Sequence, residues 1–439
     1  MKLYSCLVSS CLLFLVSCTK DASFDKEVFN TADLNHANRT LLEVAMEDAF
    51  PPPVASRVYV YPHIAQYITL QKFYPDSLQD ISSKLNGLES IPDIDKSQVN
   101  PELAAILSFC NIAKKVVFSE HLIEELKNEF IDKARKEKLS ENVIYSSLAY
   151  AESISGHLSK WIDKDNYIQT RTFDRFTSTK KPENWRETPP DYMEALEPFW
   201  DEIRPLVIDS ASIYLAKAPP VYQTSKDSEF FKMVYEVYEE STQRLDSSKI
   251  ATAWFWDDNP NTTMHQGHLV AVIHKISPPG HWLNIIHQIT EKENSSLFTT
   301  SKAYTFTATA MFDAIISCWH EKFKTDLVRP VTYIQEYIDV EWKPVIQTPP
   351  FPEYTSGHSA ISASAAGVLN AVFGKTFAFT DNTNELFNAG TRTYSSFDEA
   401  AWEVSLSRFY GGIHYMIGVE EGNKQGYFIA NKILEKFKN

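Results

Sequence analysis

Cysteine and glycine are scarce in this chain, and a second long apolar run is missing. Five cysteines and 13 glycines occur among 439 residues. Three of the cysteines, Cys6, Cys11 and Cys18, fall at the extreme N-terminus, which leaves Cys110 and Cys318, either as one disulfide or as two buried thiols. A disulfide framework is therefore excluded. The low glycine content and the rarity of strand-like alternation disfavour a β-rich fold and point to a helical one. Beyond the N-terminus no run of about eighteen apolar residues exists, so no further helix can span a membrane. Positive charge is also in the minority, with 42 Lys+Arg against 57 Asp+Glu and a formal net charge of −15. That balance argues against nucleic-acid binding, and any anion site must be a local group of cations working against the overall field.

What is present begins with a leader. Lys2 precedes a largely apolar stretch from Leu7 to Val16, and Leu15-Val16-Ser17-Cys18 matches a lipoprotein cleavage box. We expect removal of residues 1–17 and lipidation of Cys18, with membrane contact only through that anchor. The expected location is a bacterial, outer membrane, facing the periplasm or the cell surface. Residues 18–56 read as a tether holding one short helix, Leu41 to Phe50, ahead of Pro51-Pro52-Pro53.

Helical spacing of apolar residues then runs from Val58 to Tyr74, from Pro101 to Val117, and along Val143, Ile144, Leu148, Ala151, Ile154, Leu158, Trp161 and Ile162. Glu124 to Lys138 is charge-dense and reads as a solvated face. Asp163 to Pro190 is polar and proline-punctuated, as expected of a long irregular connection. His265 and His268, among five histidines between 265 and 287, are spaced by about one helical turn, but no cysteine or carboxylate completes a metal set. Core or supporting roles suit these histidines better.

Three segments carry chemistry. Ser356-Gly357-His358 opens an Ala/Ser-rich run that reads as a buried helix ending at Gly374. Free N–H groups at such a helix start make a cradle for an oxyanion, with His358 placed to exchange a proton. Upstream, Lys322 and Arg329 are seven apart and would share one helix face, with Arg329 at the helix end before Pro330. Downstream, a helix opened by Ser396 with Glu399 three residues on, a capping-box pattern, leads to Arg408. Gly411-Gly412 then supplies the break that turns His414 back toward it.

In that order, K-x6-R-P, S-G-H and S-R-x5-H resemble the phosphatidic-acid-phosphatase type 2 superfamily, which includes acid phosphatases, lipid phosphatases and vanadium-dependent haloperoxidases. Trp185 to Arg204, Phe255-Trp256-Asp257-Asp258-Asn259-Pro260 and Pro278-Pro279-Gly280-His281-Trp282 resemble segments of the bacterial haloperoxidase branch. The resemblance covers roughly residues 155–439. With the helical composition, it leads us to expect an all-α fold of two packed four-helix-type bundles. Residues 57–245 would form the first part and 246–439 the second, which carries the site.

The resemblance implies a vanadate cofactor held by Lys322, Arg329, Ser356, Gly357, His358, Arg408 and His414, with His414 as the axial vanadium ligand. His358 would be the acid–base group, and Lys322 would polarise the oxidant. The implied partners are hydrogen peroxide, a halide (iodide or bromide ahead of chloride) and small organic acceptors. Phe351 matches the phenylalanine of chloride-type enzymes, and Trp319 and His320 are expected beside it in a halide pocket.

Two positions depart from the pattern. Gly418 stands where the superfamily has an aspartate that orients the histidine, leaving Glu420, Glu421, a carbonyl or water for that task. Thr355 replaces a proline. The missing aspartate counts against the first alternative, an acid phosphatase working through a phosphohistidine at His414. A second alternative is a silent surface lipoprotein that binds phosphate or a glycan.

Overall fold

The computed structural model describes residues 27–438 apart from 261, 267 and 388, so the leader and Cys18 lie outside the described residues. Helix starts follow side-chain capping. Asn30, Asn100, Ser140, Ser228, Asp246, Ser277, Ser296, Ser356 and Ser396 each accept a hydrogen bond from an N–H of the turn they precede. The helices, in chain order, begin with α1 (Thr31–Glu47), α2 (Pro52–Phe73), α3 (Pro101–Val116), α4 (Glu120–Lys136), α5 (Glu141–Ile162) and the single turn α6 (Tyr167–Thr170). After a long connection come α7 (Glu229–Glu240), α8 (Ser247–Phe255), α9 (Pro278–Lys292), α10 (Leu297–Thr325) and α11 (Pro330–Tyr337). The chain closes with α12 (Gly357–Phe373), α13 (Phe397–Tyr410) and α14 (Met416–Lys438). Among the described residues, strands are confined to two small antiparallel hairpins, β1 (Thr262–Gln266) with β2 (Leu269–Ile273) and β3 (Phe379–Asp381) with β4 (Arg392–Tyr394). The fold is all-α, as expected.

One apolar core runs through both halves, from Phe29 and Leu34 through Leu103, Phe312 and Ala365 to Ile433. Helix α10, whose middle is buried all round, joins α2 on one side to α12 and α14 on the other. Helices α12 and α14 approach closely because both faces are small. A Cβ on Gly422 would lie 2.6 Å from the Ser356 carbonyl, and one on Gly367 would lie 2.7 Å from the Ala430 methyl. At Gly426 a Cβ would overlap the Ala360 carbonyl. Any larger residue at these points would force the helices apart.

Three expectations need correction. The described part of the expected tether is folded: α1 buries Leu34, Leu41 and Leu42, and a capping box of Asn30 and Asp33 starts it ten residues before the helix we expected. Lys322 and Arg329 do not share a helix. Helix α10 ends at Thr325, Asp326 takes a left-handed conformation (φ 48°), and Arg329 caps the separate helix α11. His265 and His268 are not on a helix either; His265 lies in β1, and His268 immediately precedes β2.

Cys110 and Cys318 are free and buried, so the alternative of two thiols holds. The solvated face of α4 is present, opposite a buried stripe of Ile123, Leu126, Phe130 and Ala134.

The irregular connection after α5 has a clear task. Its backbone pairs with the turn between α10 and α11 (Trp185 N to Asp326 O, 2.8 Å; Val328 N to Glu183 O, 3.0 Å) and with the loop before α12 (Leu196 N to Pro350 O, 2.9 Å). It braces the two segments that carry Lys322, Arg329 and the Ser-Gly-His motif. The buried Asp313 carboxylate anchors its far end by accepting the N–H groups of Leu206, Val207 and Ile208 at 2.7–2.9 Å.

Candidate active site

The motif residues converge between the N-terminus of α12, the end of α10, the start of α11 and the α13–α14 turn. His414 lies in that turn, where Gly412 (φ 75°) provides the reversal expected of the Gly-Gly pair. Its Nδ1 meets Glu353 Oε1 at 2.6 Å, and its Nε2 meets Arg329 Nη1 at 3.2 Å. Arginine only donates, so His414 accepts at Nε2 and carries its proton on Nδ1, facing the carboxylate. Glu353 Oε1 also accepts the Tyr415 N–H at 3.0 Å.

This answers what orients His414 in the absence of the usual aspartate. Glu421 is engaged elsewhere, with Tyr214, the Lys217 N–H and Lys424. The carboxylate comes instead from the loop before α12, and the missing side chain at Gly418 leaves room for it, since a Cβ there would overlap the Glu353 carboxylate. Sequence reasoning missed Glu353. Its signal was a lone acid inside the apolar run Phe351 to Tyr354.

Lys322 spends its three N–H bonds on the carbonyls of Pro352 (3.0 Å), Glu353 (3.1 Å) and Thr355 (2.6 Å). It therefore shapes the loop and acts on the pocket as a charge. Burial pulls its pKa down to about 7. Arg329 binds the carbonyls of Phe351 (2.8 Å) and Ile413 (2.9 Å), and Arg408 binds those of Trp256 (2.9 Å) and Asp257 (3.3 Å). Burial lowers these guanidinium groups to about 9 and about 10, yet leaves both charged at neutral pH.

His358 is bonded to the Asp257 carbonyl while its Nε2 has no partner, so the bonded nitrogen is Nδ1 and the free lone pair is on Nε2. Burial first, and then the neighbouring cations, hold both His358 and His414 well below the usual histidine range. Burial pushes the Glu353 carboxyl up to about 7 against the pull of Arg329 and Lys322.

Ser356 caps α12 as expected, but its N–H is taken by the Gly418 carbonyl at 2.9 Å and so is not a donor of the anion cradle; its hydroxyl accepts from Ser359. Phe351 packs on Trp319 (5.1 Å between centroids) and lies under the Lys322 ammonium (4.9 Å) and the Arg329 guanidinium (5.0 Å). His320 is not brought to this place. It pairs with Asp201 at 3.1 Å on the outer side of α10.

A cavity of about 50 Å³ reaches this cluster, lined by His358, Arg408 and Asp258 and by apolar groups that include Phe351, Leu196 and Met193. Arg329 Nη2, Arg408 Nε and His358 Nε2 are buried without a partner. Unpaired buried donors are costly, and the two arginine donors, with the His358 lone pair beside them, mark a place built for an acceptor-rich ligand.

The comparisons decide which family this pocket belongs to. A crystal structure described as the first bacterial vanadium-dependent iodoperoxidase superposes with a TM-score of 0.87 at 40% identity, over 94% of this chain and 98% of that one. The chain belongs to the vanadium-dependent haloperoxidases, peroxidases whose cofactor is vanadate. A bacterial vanadium-dependent chloroperoxidase in its holo form shares the fold at TM-score 0.64 and 16% identity, over 89% of this chain and 93% of that one. Residues 302–439 match the family described as the VCPO second helical-bundle domain. No curated protein matches the chain.

The haloperoxidase cofactor fits the residues present. Vanadate is a tetrahedral oxyanion, and the unpaired Arg329 and Arg408 groups are the donors its oxygens need. His414, oriented by Glu353 with its lone pair on Nε2, where Arg329 Nη1 meets it, would be the residue that holds the vanadium. Among the described residues no cluster of three or more His, Cys, Asp or Glu side chains is placed to hold a metal cation.

Proposed function

We propose that this haloperoxidase oxidises iodide, and bromide less readily, with hydrogen peroxide to the hypohalous acid. The balance is halide, hydrogen peroxide and one proton giving hypohalous acid and water. The observation that carries the halide assignment is the 40% identity, across nearly the whole chain, to a protein named an iodoperoxidase. Phe351 does not argue for chloride, because its ring is wedged between Trp319 and the two cations and serves the packing of the pocket whatever the halide.

Vanadate, when bound, supplies an electrophilic centre that activates hydrogen peroxide toward a halide nucleophile. Everything else falls to the protein. Arg329 and Arg408 neutralise the oxyanion, while the Lys322 charge holds the pocket positive. His358 Nε2, the free base on the cavity wall, accepts a proton from incoming hydrogen peroxide and returns it to the oxygen that leaves as water. Glu353 keeps the His414 proton on Nδ1. The apolar lining and small volume of the cavity suit a halide and peroxide, with organic acceptors meeting the hypohalous acid outside.

One observation favours phosphate chemistry as a second reading. Glu353 restores the carboxylate–histidine pair whose absence counted against a phosphohistidine, so the same pocket can attack a phosphomonoester through His414.

Steady-state kcat/KM values for iodide, bromide and chloride with vanadate-loaded enzyme test the proposal. An iodide preference supports it, and chloride oxidation at comparable efficiency overturns it. The proposal also includes export and lipid attachment at Cys18, supported by the Leu15–Cys18 box and checked by the intact mass of the membrane-extracted protein.

A further inference from the structure

His281 is fully buried in α9, yet it is a charged-group hub. Its Nδ1 contacts Asp258 Oδ2 at 2.8 Å and its Nε2 contacts Asp381 Oδ2 at 2.8 Å. Its ring stacks on Trp256, with centroids 4.5 Å apart and planes at 28°. Asp381, in β3, also receives the Thr383 N–H at 2.9 Å, and Asn384 reaches the Phe255 carbonyl and Asp258. His281 and Asn384 thus both hold the short segment 255–258, with Asp381 behind His281.

That segment is the back wall of the anion pocket. The carbonyls of Trp256 and Asp257 hold Arg408 Nη1, and the Asp257 carbonyl holds the His358 ring. Two carboxylates each accept a proton from the imidazole only if both ring nitrogens carry one, so His281 is an imidazolium in this clamp. Burial alone would discharge it, but Asp258 and Asp381 outweigh burial and lift it to about 10.

We infer that His281 is a positioning residue for the oxyanion pocket: clamped between Asp258 and Asp381, it fixes the 256–258 backbone that aims Arg408 and sets the His358 tautomer. The inference rests on the oxyanion-pocket reading above. It assigns His281 no contact with substrate or cofactor.

The test compares His281→Gln with His63→Gln. His63 is equally buried in α2, bonded to Asn38 in the N-terminal half of the core, and serves as the packing control. Vanadate and phosphate dissociation constants are measured by equilibrium dialysis on folded protein, alongside Tm and the pH profile of kcat. The expectation is that His281→Gln weakens both oxyanions by about tenfold or more and shifts the profile set by His358, whereas His63→Gln lowers Tm and leaves both unchanged. Equal oxyanion affinity in wild type and His281→Gln, with only Tm lowered, overturns the inference. If His281→Gln does not fold, Asp381→Asn, which removes one charge and leaves the ring in place, is held to the same two outcomes. Wild-type protein that binds neither vanadate nor phosphate contradicts the pocket itself, a failure distinct from that of His281.

Discussion

The Glu353 carboxylate occupies the space that a side chain at Gly418 would fill, and from there it holds His414 Nδ1 at 2.6 Å. The orienting acid has moved from α14 to the loop before α12, and a glycine records the exchange. Removing it should uncouple His414. Glu353→Ala is expected to lower vanadate affinity and kcat/KM by about 10–100-fold, and Glu353→Gln, which still accepts from Nδ1, by less. Gly418→Asp alone should destabilise by overlap. The double variant Glu353→Ala/Gly418→Asp should recover part of the affinity, as measured by vanadate titration.

The pH dependence of oxyanion binding follows from Lys322. Burial lowers its pKa to about 7, so in the ligand-free pocket its charge is present below that value and lost above it. A bound oxyanion favours the charged form. Affinity for phosphate or vanadate should therefore fall as pH rises from 7 to 9, with net proton uptake on binding, seen by calorimetry in buffers of different ionisation enthalpy. Lys322→Met should flatten that slope.

A second pH effect concerns stability. The folded pKa of His281 is raised to about 10 against an unfolded value near 6.5. Its contribution is then fully present below about 6.5 and lost as pH climbs through about 10. The Tm difference between wild type and His281→Gln should shrink over that window.

The helix contact behind the site is equally testable. Gly426→Ala places a methyl on the Ala360 carbonyl, and overpacking of this kind costs about 1–3 kcal/mol. Chemical denaturation should show this loss. A neutral result would contradict the close approach of α12 and α14.

Much of the site was legible because its cations, Ser-Gly-His turn and Gly-Gly break lie in short local patterns. What was not legible depended on distant partners. Glu353 and His414 are 61 residues apart, and His281 meets Asp381 across 100. The Lys322–Arg329 spacing misled because a single left-handed residue, Asp326, ends α10 between them. Helix α1 was obscured by buried polar residues, Asn35 and Asn38, which break its apolar periodicity yet bond to Thr290, Tyr304 and His63 in the core.

The most direct test of the account is iodide oxidation by metal-free protein as vanadate is titrated in, for wild type and His414→Ala, with phosphomonoester hydrolysis followed in a vanadate-free arm. The account predicts activity that rises from zero and saturates with vanadate in wild type and is lost in His414→Ala. Iodide oxidation that needs no vanadate, or that survives in His414→Ala, would contradict it. Phosphate release inhibited by vanadate, with no iodide oxidised, would transfer the pocket to phosphoryl chemistry.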